Sequence, residues 1–492
     1  MSDAPGPGPS PAVPAASPGI PRVPATIDLR LDGNQGAAPS AAFLARLGGD
    51  AELLRAYPLD RELEHALAAR HGVAVDRVFV GAGADDVLDR LCRAVLAPGR
   101  AAVVPVPTFE MLPRYVALTG AQLVSIPWRE GPWPRAAVLA ALSPATALVA
   151  IVSPNNPTGL VATADDVRAV LAAAPQALVL VDAAYAEFGG EDLTAVAVGH
   201  ERAVVVRTFS KAFGLAGLRV GYALAAPAVV GWLRAVGSPF TAGTLARRAA
   251  RLRLQDATGE VAEAVRTVQQ GRDALTRQLA ALGASPLPSA GNFVFARPAA
   301  PSWLGDGLAG LGIAVRVFAD GVRITVSGDA VVQARLAAAL AAVLAPQALL
   351  LDLDGVLADV ERRRALAAVE HVEALAARWP LGVVTTCPRR LAESVLVRHG
   401  FAPFVRTLVA AEDAPCKPDP APVRLALSRL GATSAWLLGD NPSDVVAARG
   451  AGVVPLALQP HGIGAESHAE RLRAAGAARL VADLAAVLTL GR

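Results

Sequence analysis

Between Thr26 and Ala345 short apolar runs alternate with segments of helical period. The runs Val78–Val80, Ala101–Val104, Ala147–Val152, Ala177–Val181 and Ala203–Val206 have no alternating polar face. Strands of that kind are buried on both sides, as in a mostly parallel sheet covered by helices on both faces. The polar motifs stand just after the runs. GAGADD follows Val80, SPNNPTG follows Val152, Asp182 follows Val181, and RTFSK follows Val206. Open α/β sheets bind ligands outside the carboxyl ends of their strands, so these motifs are expected to share one site.

From about Gly243 to Ala345 the pattern changes to long Arg/Ala helices with a few strands, such as Asn292–Ala296 and Val322–Val326. This is expected to be a smaller α+β lobe. The Arg runs Arg247–Arg253 and Arg362–Arg364 read as solvated helix faces. Without interleaved aromatics they do not suggest a nucleic-acid partner. Pro346 ends a helix, and ALLLDLDGVLAD begins a second α/β unit with strands near Ala348–Asp352, Gly382–Thr385 and Ala435–Gly439. The expected division is a tail at 1–25, a first unit at 26–345 and a second at 346–492. Within the first unit the large domain spans about 45–240, and the small lobe about 243–345 plus the N-terminal segment.

Hydrophobic residues make up 53% of the 492, enough for a large core, which excludes general disorder. The longest apolar run, Leu336 to Leu351, is cut by Pro346 and Gln347. A membrane span needs about 20 uninterrupted apolar residues, so the run is expected to be a helix followed by a buried strand. The first 25 residues are rich in Pro, Ala, Gly and Ser. They lack the basic start and apolar centre of a secretory signal, and a disordered tail is expected. Cys92, Cys387 and Cys416 form no CxxC or zinc-ligand spacing. Reduced thiols and a cytoplasmic location follow as expectations.

One count carries chemical information. Of the 46 basic residues only Lys211 and Lys417 are lysines. A chain so biased toward arginine is expected to keep lysine where a compact or deprotonatable amine is needed. Lys211 lies in RTFSKAFGLAGLRVGY, beside Ser210 and eight residues before Arg219. An amine there can form a Schiff base next to a phosphate-binding pair. VDAAYAEF puts Asp182 at the end of an uncharged strand, where an acid needs a cationic partner or a hydrogen-bond network. A pyridinium nitrogen would supply that partner.

On these motifs, residues 26–345 resemble the fold-type I pyridoxal-phosphate aminotransferases, and most of all the histidinol-phosphate aminotransferase family. The resemblance implies a large α/β domain with a parallel or mixed sheet plus a small α+β domain. It makes Lys211 the Schiff-base lysine and proton carrier, and Asp182 the partner of the pyridine nitrogen. Tyr185 and Asn156 would bind the phenolic oxygen, and Phe109 would stack on the ring. The amides of Ala84 and Asp85 would bind the cofactor phosphate at a helix N-terminus, with Ser210 and Arg219. Tyr57 in AYPLD would reach that phosphate from a neighbouring subunit, which implies a homodimer. Asn34, Arg316 and Arg323 would contact substrate, and bidentate arginine suits either a carboxylate or a phosphate. The implied reactants are a small-molecule amino donor such as glutamate and a phosphorylated keto acceptor, imidazole-acetol phosphate. Aromatic amino-acid transfer and a decarboxylase similar to the threonine-phosphate enzymes stay open as alternatives.

DLDGVLAD sets Asp352 and Asp354 in the loop after an apolar strand. Paired carboxylates call for a cation, and Mg²⁺ with a phosphate fits. Thr385 ends a second strand, Lys417 lies in CKPDP, and Asp440 and Asp444 follow a third strand in LLGDNPSD. Together these resemble the haloacid-dehalogenase-like phosphohydrolases, with a Rossmann-like fold. The resemblance makes Asp352 the nucleophile and Asp354 the general acid and base. Thr385 and Lys417 would hold phosphoryl oxygens, and Asp352, Asp354, Asp440 and Asp444 would form the Mg²⁺ site. Asp352 and Thr385 are only 33 positions apart, which leaves room for no more than a minimal cap. A non-catalytic role for this unit stays open beside the phosphatase reading.

The two lysines generate a paired prediction. Lys211→Arg should abolish amino transfer and leave phosphate-ester hydrolysis running, whereas Lys417→Arg should do the reverse. Separate assays of 2-oxoglutarate and inorganic phosphate check both.

Overall fold

The computed structural model describes residues 26–256 and 258–491. The expected disordered tail, 1–25, lies outside the described residues. Strand β1 (Leu29–Arg30) is followed by a seven-stranded sheet. Its strands are β2 (Val78–Gly81), β3 (Ala101–Val106), β4 (Gln122–Pro127), β5 (Thr146–Val152), β6 (Leu178–Asp182), β7 (Ala203–Thr208) and β8 (Gly221–Leu224). The order is β2-β8-β7-β6-β5-β3-β4, with β8 antiparallel to both neighbours and the others parallel. Strands β6 and β7 are buried along their whole length. Helix α1 (Gly83–Val95) starts directly after β2, with Gly83 at φ +84° as its hinge.

Helices α2 (Thr244–Asp256) and α3 (Thr258–Ala281) lead to β9 (Phe293–Ala296) and α4 (Pro301–Gly310). Strands β10 (Ile313–Ala314), β11 (Arg316–Phe318) and β12 (Gly321–Thr325) and helix α5 (Ala330–Leu344) follow. β10 pairs with β1 in parallel, and β11-β12-β9 form a three-stranded antiparallel sheet. The register sets Arg316 opposite Arg323.

The Arg247–Arg253 run departs from the expected solvated face. Arg247 is buried against Glu64, and Arg253 is buried with Glu260 at 2.9 Å and the Phe213 carbonyl at 2.9 Å. Both turn inward because carboxylates and a carbonyl meet them there, which offsets desolvation. The Arg362–Arg364 run is exposed as expected, but it lies in a turn and at the start of a short strand, not on a helix.

The C-terminal sheet contains β13 (Ala348–Leu351), β16 (Leu381–Val384), β17 (Val405–Val409), β18 (Ala435–Gly439), β19 (Val454–Leu458) and β20 (Arg479–Val481). All its pairings are parallel, in the order β17-β16-β13-β18-β19-β20. A two-stranded flap, β14 (Ala358–Asp359) with β15 (Arg364–Ala365), stands where a cap domain would be inserted. Helices α6 (Pro442–Gly450) and α7 (Ala465–Ala475) cover the sheet near its far edge. Among the described residues no helix is long and apolar enough to cross a membrane.

A continuous apolar core runs from Leu31 and Ile313 through Trp303 to Trp379 and Trp436. Trp303 meets Trp436 edge to face at 5.0 Å, and Trp379 meets Trp436 at 5.4 Å. Both buried indole N–H groups donate to the end of α5: Trp303 to the Val343 carbonyl at 3.3 Å, Trp436 to the Ala342 carbonyl at 2.9 Å. A ring of this size buries about 150–250 Å², worth at most roughly 4–6 kcal/mol at about 25 cal/mol per Å². Trp436→Ala should cost about 3–5 kcal/mol, seen as a lowered midpoint in guanidinium unfolding followed at both ends of the molecule.

Candidate active sites

The first site is a cavity of about 270 Å³ along the carboxyl edge of the seven-stranded sheet. It is lined by Asn34, Ala84, Asp85, Phe109, Asn156, Asp182, Tyr185, Ser210, Lys211, Arg219, Arg316 and Arg323, all singled out in the sequence. Phe109, Asn156, Asp182, Tyr185, Ser210 and Lys211 come from strand ends or the loops just beyond them, Ala84 and Asp85 from the first turn of α1, and Arg323 from the middle of β12. Tyr57 is absent from the cavity; it is 74% exposed and stacks on Phe240 at 5.2 Å.

Asp182 is buried at the end of β6, and its side chain accepts from the Ala184 amide at 3.1 Å. Burial pushes its pKa up to about 6. The Lys211 ammonium lies 5.4 Å from the centroid of the Tyr185 ring. Tyr185 Oη accepts from Asn34 Nδ2 at 3.1 Å, and its ring packs edge-on against Phe293. Arg219 adopts φ +52° and reaches back across the sheet edge. It donates to Asp85 at 2.8 Å and to Ser210 Oγ at 3.4 Å. A Cβ on Gly83 would stand 2.7 Å from the Arg219 guanidinium, and one on Gly221 2.4 Å from the Ala84 amide nitrogen. Only glycine lets these groups converge.

Arg323 is buried, donating to Asn156 Oδ1 and to the Asp32 carbonyl, each at 2.5 Å. Desolvation lowers its pKa. Arg316 is instead paired with Glu110 at 2.9 Å. Sequence reasoning missed Asp32, Thr108 and Glu110, which also line the cavity. Glu110 adjoins Phe109 in PTFEM, and that adjacency was the available signal. Thr108 Oγ1 is buried without a hydrogen-bond partner.

The second site lies at the carboxyl ends of β13, β16 and β18. Asp352 is buried one residue beyond β13, with its carboxylate 2.9 Å from Lys417 Nζ. The same ammonium lies 2.5 Å from Asp444 and donates to the Val384 carbonyl at 2.9 Å. Carboxylate oxygens of Asp352, Asp440 and Asp444 all fall within 4.8 Å of one another. Asp354 stands outside this group and is exposed; its Oδ1 accepts from the Val360 amide at 2.9 Å. Thr385 is buried, and its Oγ1 accepts from the Cys387 amide at 3.1 Å. A Cβ on Gly355 would stand 2.0 Å from Asp440 Oδ2. His468, unmarked in the sequence reading, sits 2.7 Å from the Asp440 carbonyl oxygen through Nε2.

Burial pushes Asp352 up to about 7, with Lys417 opposing the rise and Asp444 adding to it. Burial and Asp444 raise Asp440 to about 6. Desolvation works against the charge of Lys417, but Asp352 and Asp444 outweigh it and keep the amine protonated. Lys417 meets two of these three carboxylates, and the excess of acids leaves a place that a divalent cation would suit.

With both sites described, comparison with known proteins decides the class. Residues 29–341 match the family model for class I and II aminotransferases. The chain belongs to that family. It is 37% identical over 303 residues to histidinol-phosphate aminotransferase 1 of Bradyrhizobium diazoefficiens, covering 59% of this chain and 85% of the relative. It is 40% identical over 278 residues to histidinol-phosphate aminotransferase 2 of Pseudomonas aeruginosa, covering 54% and 74%. The crystal structure of histidinol-phosphate aminotransferase from Sinorhizobium meliloti, in complex with pyridoxal-5'-phosphate, superposes with a TM-score of 0.60 at 28% identity, over 65% of this chain and 91% of that one. Residues 366–458 match the haloacid dehalogenase-like hydrolase model. That match begins after Asp352 and Asp354.

The expected fold class, a fold-type I aminotransferase followed by a haloacid-dehalogenase-like domain, is therefore met. The first cavity fits pyridoxal phosphate. It has a glycine-cleared anion cradle at a helix N-terminus, a buried acid and a nearby primary amine.

The raised Asp352 pKa has a defined consequence in metal-free protein. A carboxyl whose folded pKa exceeds its unfolded value contributes stability below about pH 4 that is lost as pH rises through its folded pKa, here about 7. Asp352→Asn should therefore melt above wild type at pH 8, with the advantage shrinking as pH falls below about 7 and gone by about pH 4. Thermal melts in a chelator check this.

Proposed function

We propose that the chain joins two consecutive enzymes, an aminotransferase at 26–345 and a phosphate monoesterase at 346–492. The first takes the amino group of glutamate to imidazole-acetol phosphate, and the second hydrolyses the histidinol phosphate so formed. The names of the aminotransferase relatives support the first assignment. The observation that carries the pair is the separation of two lysine-centred sites at two parallel-sheet edges.

When bound, pyridoxal phosphate supplies an electron sink for the carbanion formed at the amino-acid Cα. Asp182 holds the proton on the pyridine nitrogen, because burial makes its charge dependent on a cation at that point. Ala84, Asp85, Ser210 and Arg219 would hold the cofactor phosphate, Arg219 being already turned to the α1 N-terminus by its pairing with Asp85. Tyr185 and Asn156 orient the ring oxygen, and Phe109 covers the ring. The Lys211 amine moves the proton at the substrate Cα. Arg323 binds a substrate carboxylate or phosphate bidentately, with Asn34 alongside, while the Arg316–Glu110 pair opens to admit it. Tyr57, exposed near Leu54 and Leu59, serves a second copy of the chain across a homodimer interface.

At the second site a carboxylate oxygen of Asp352 attacks phosphorus, forming an acyl phosphate as the ester P–O bond breaks. Asp354 protonates the departing alkoxide and then takes a proton from the water that hydrolyses the acyl phosphate. Thr385 and Lys417 hold the phosphoryl oxygens. Asp352, Asp440 and Asp444 would hold Mg²⁺, which would supply positive charge against the phosphate.

Glutamate and imidazole-acetol phosphate should yield 2-oxoglutarate and inorganic phosphate together. Asp352→Asn should stop phosphate release and leave 2-oxoglutarate formation intact, with histidinol phosphate accumulating. Formation of 2-oxoglutarate without phosphate in the wild type would sink the second assignment alone. Chelation should remove phosphate release only.

A further inference from the structure

Beside the tryptophans, the two units meet at a polar node. Helix α4 ends at Gly310, and Arg449 in the last turn of α6 points its guanidinium at that end. Nη1 donates to the Gly310 carbonyl, and Nη2 donates to the Thr26 carbonyl at 2.8 Å. The last carbonyls of a helix lack partners within it and carry partial negative charge, so a half-buried guanidinium is well matched there. The approach has no slack. A Cβ on Gly310 would stand 2.7 Å from Ala478 Cβ and 3.2 Å from Pro455 Cδ, both on the opposite unit.

From this node a short segment leads into the amino-transfer cavity. The Gly312 carbonyl accepts from the Asp28 and Leu29 amides, each at 3.1 Å, and the Ala314 carbonyl from Leu31 at 2.8 Å. The Leu31 carbonyl accepts from the Thr325 amide at 2.8 Å. One residue on, the Asp32 carbonyl takes the Arg323 guanidinium, and Asn34 exchanges hydrogen bonds with the Thr325 hydroxyl. Thr26 and Asp32 are thus two ends of one extended stretch, roughly 20 Å long. Arg323 Nε has no hydrogen-bond partner, so its orientation depends on Asp32 and Asn156.

We propose that Arg449, a residue of the C-terminal unit, is a positioning residue for the aminotransferase site. By anchoring the start of the Thr26–Asn34 segment, it sets where Asp32 and Asn34 meet Arg323, and so sets affinity for the anionic substrate. This rests on the amino-transfer reading above.

The test compares wild type with Arg449→Met, which keeps the aliphatic stem and loses the donors, and with Arg449→Lys, which restores one charged donor group. Asp306→Asn is the control. It cuts the Arg479–Asp306 ion pair on the same interface, away from this segment. Steady-state KM and kcat for glutamate are measured with hydrogen exchange at the Leu29 and Leu31 amides. Arg449→Met should raise KM roughly three- to ten-fold, change kcat little, and speed exchange at both amides. Arg449→Lys should fall between it and wild type, and Asp306→Asn should match wild type. An unchanged KM and unchanged exchange in Arg449→Met would overturn the proposal, as would an equal effect of Asp306→Asn. Should Arg449→Met fail to fold, Arg449→Lys and its exchange rates decide. Absence of 2-oxoglutarate from wild type would count against the amino-transfer reading, and the exchange comparison would still decide the role of Arg449.

Discussion

A charge removed from water must be met by an opposite charge or a set of hydrogen bonds, and both sites are organised by that requirement. Asp182 sits at the end of an uncharged strand with the Ala184 amide against its carboxylate and Lys211 within electrostatic reach. Lys417 is buried between Asp352 and Asp444. In the first site an acid awaits a cation; in the second, acids outnumber the cation that holds them. Each imbalance calls for further positive charge, beside Asp182 in one site and among Asp352, Asp440 and Asp444 in the other.

The parallel-sheet edges explain why so much of this was legible in the residue order. Strands β5, β6 and β7 are apolar through their centres, and the loops leaving their carboxyl ends open onto the shared crevice, although Arg207 at the end of β7 turns aside to Glu187 and Asp192. Asn156, Asp182 and Lys211 could therefore be assigned to one cavity before any geometry was known. The same logic located Asp352, Thr385 and Asp440 beyond three strands of the second sheet.

What escaped reading depends on backbone atoms and on long-range pairing. The Asp32 carbonyl, which orients Arg323, is chemically anonymous in a sequence. Glu110 pairs with an arginine 206 positions away. The inward turn of Arg247 and Arg253 was hidden for a similar reason. Their partners, Glu64 and the Phe213 carbonyl, come from elements far along the chain. Composition marks such arginines as surface residues, and only the tertiary arrangement says otherwise.

The junction between the units is short. Helix α5 ends at Leu344, β13 begins at Ala348, and the indoles of Trp303 and Trp436 hydrogen-bond the last turn of that helix from either side. There is consequently no tether to swing on. The two sheets share one apolar core and are held in a fixed relation to one another, like two benches bolted to one floor. A residue removed from that core is lost to both units at once.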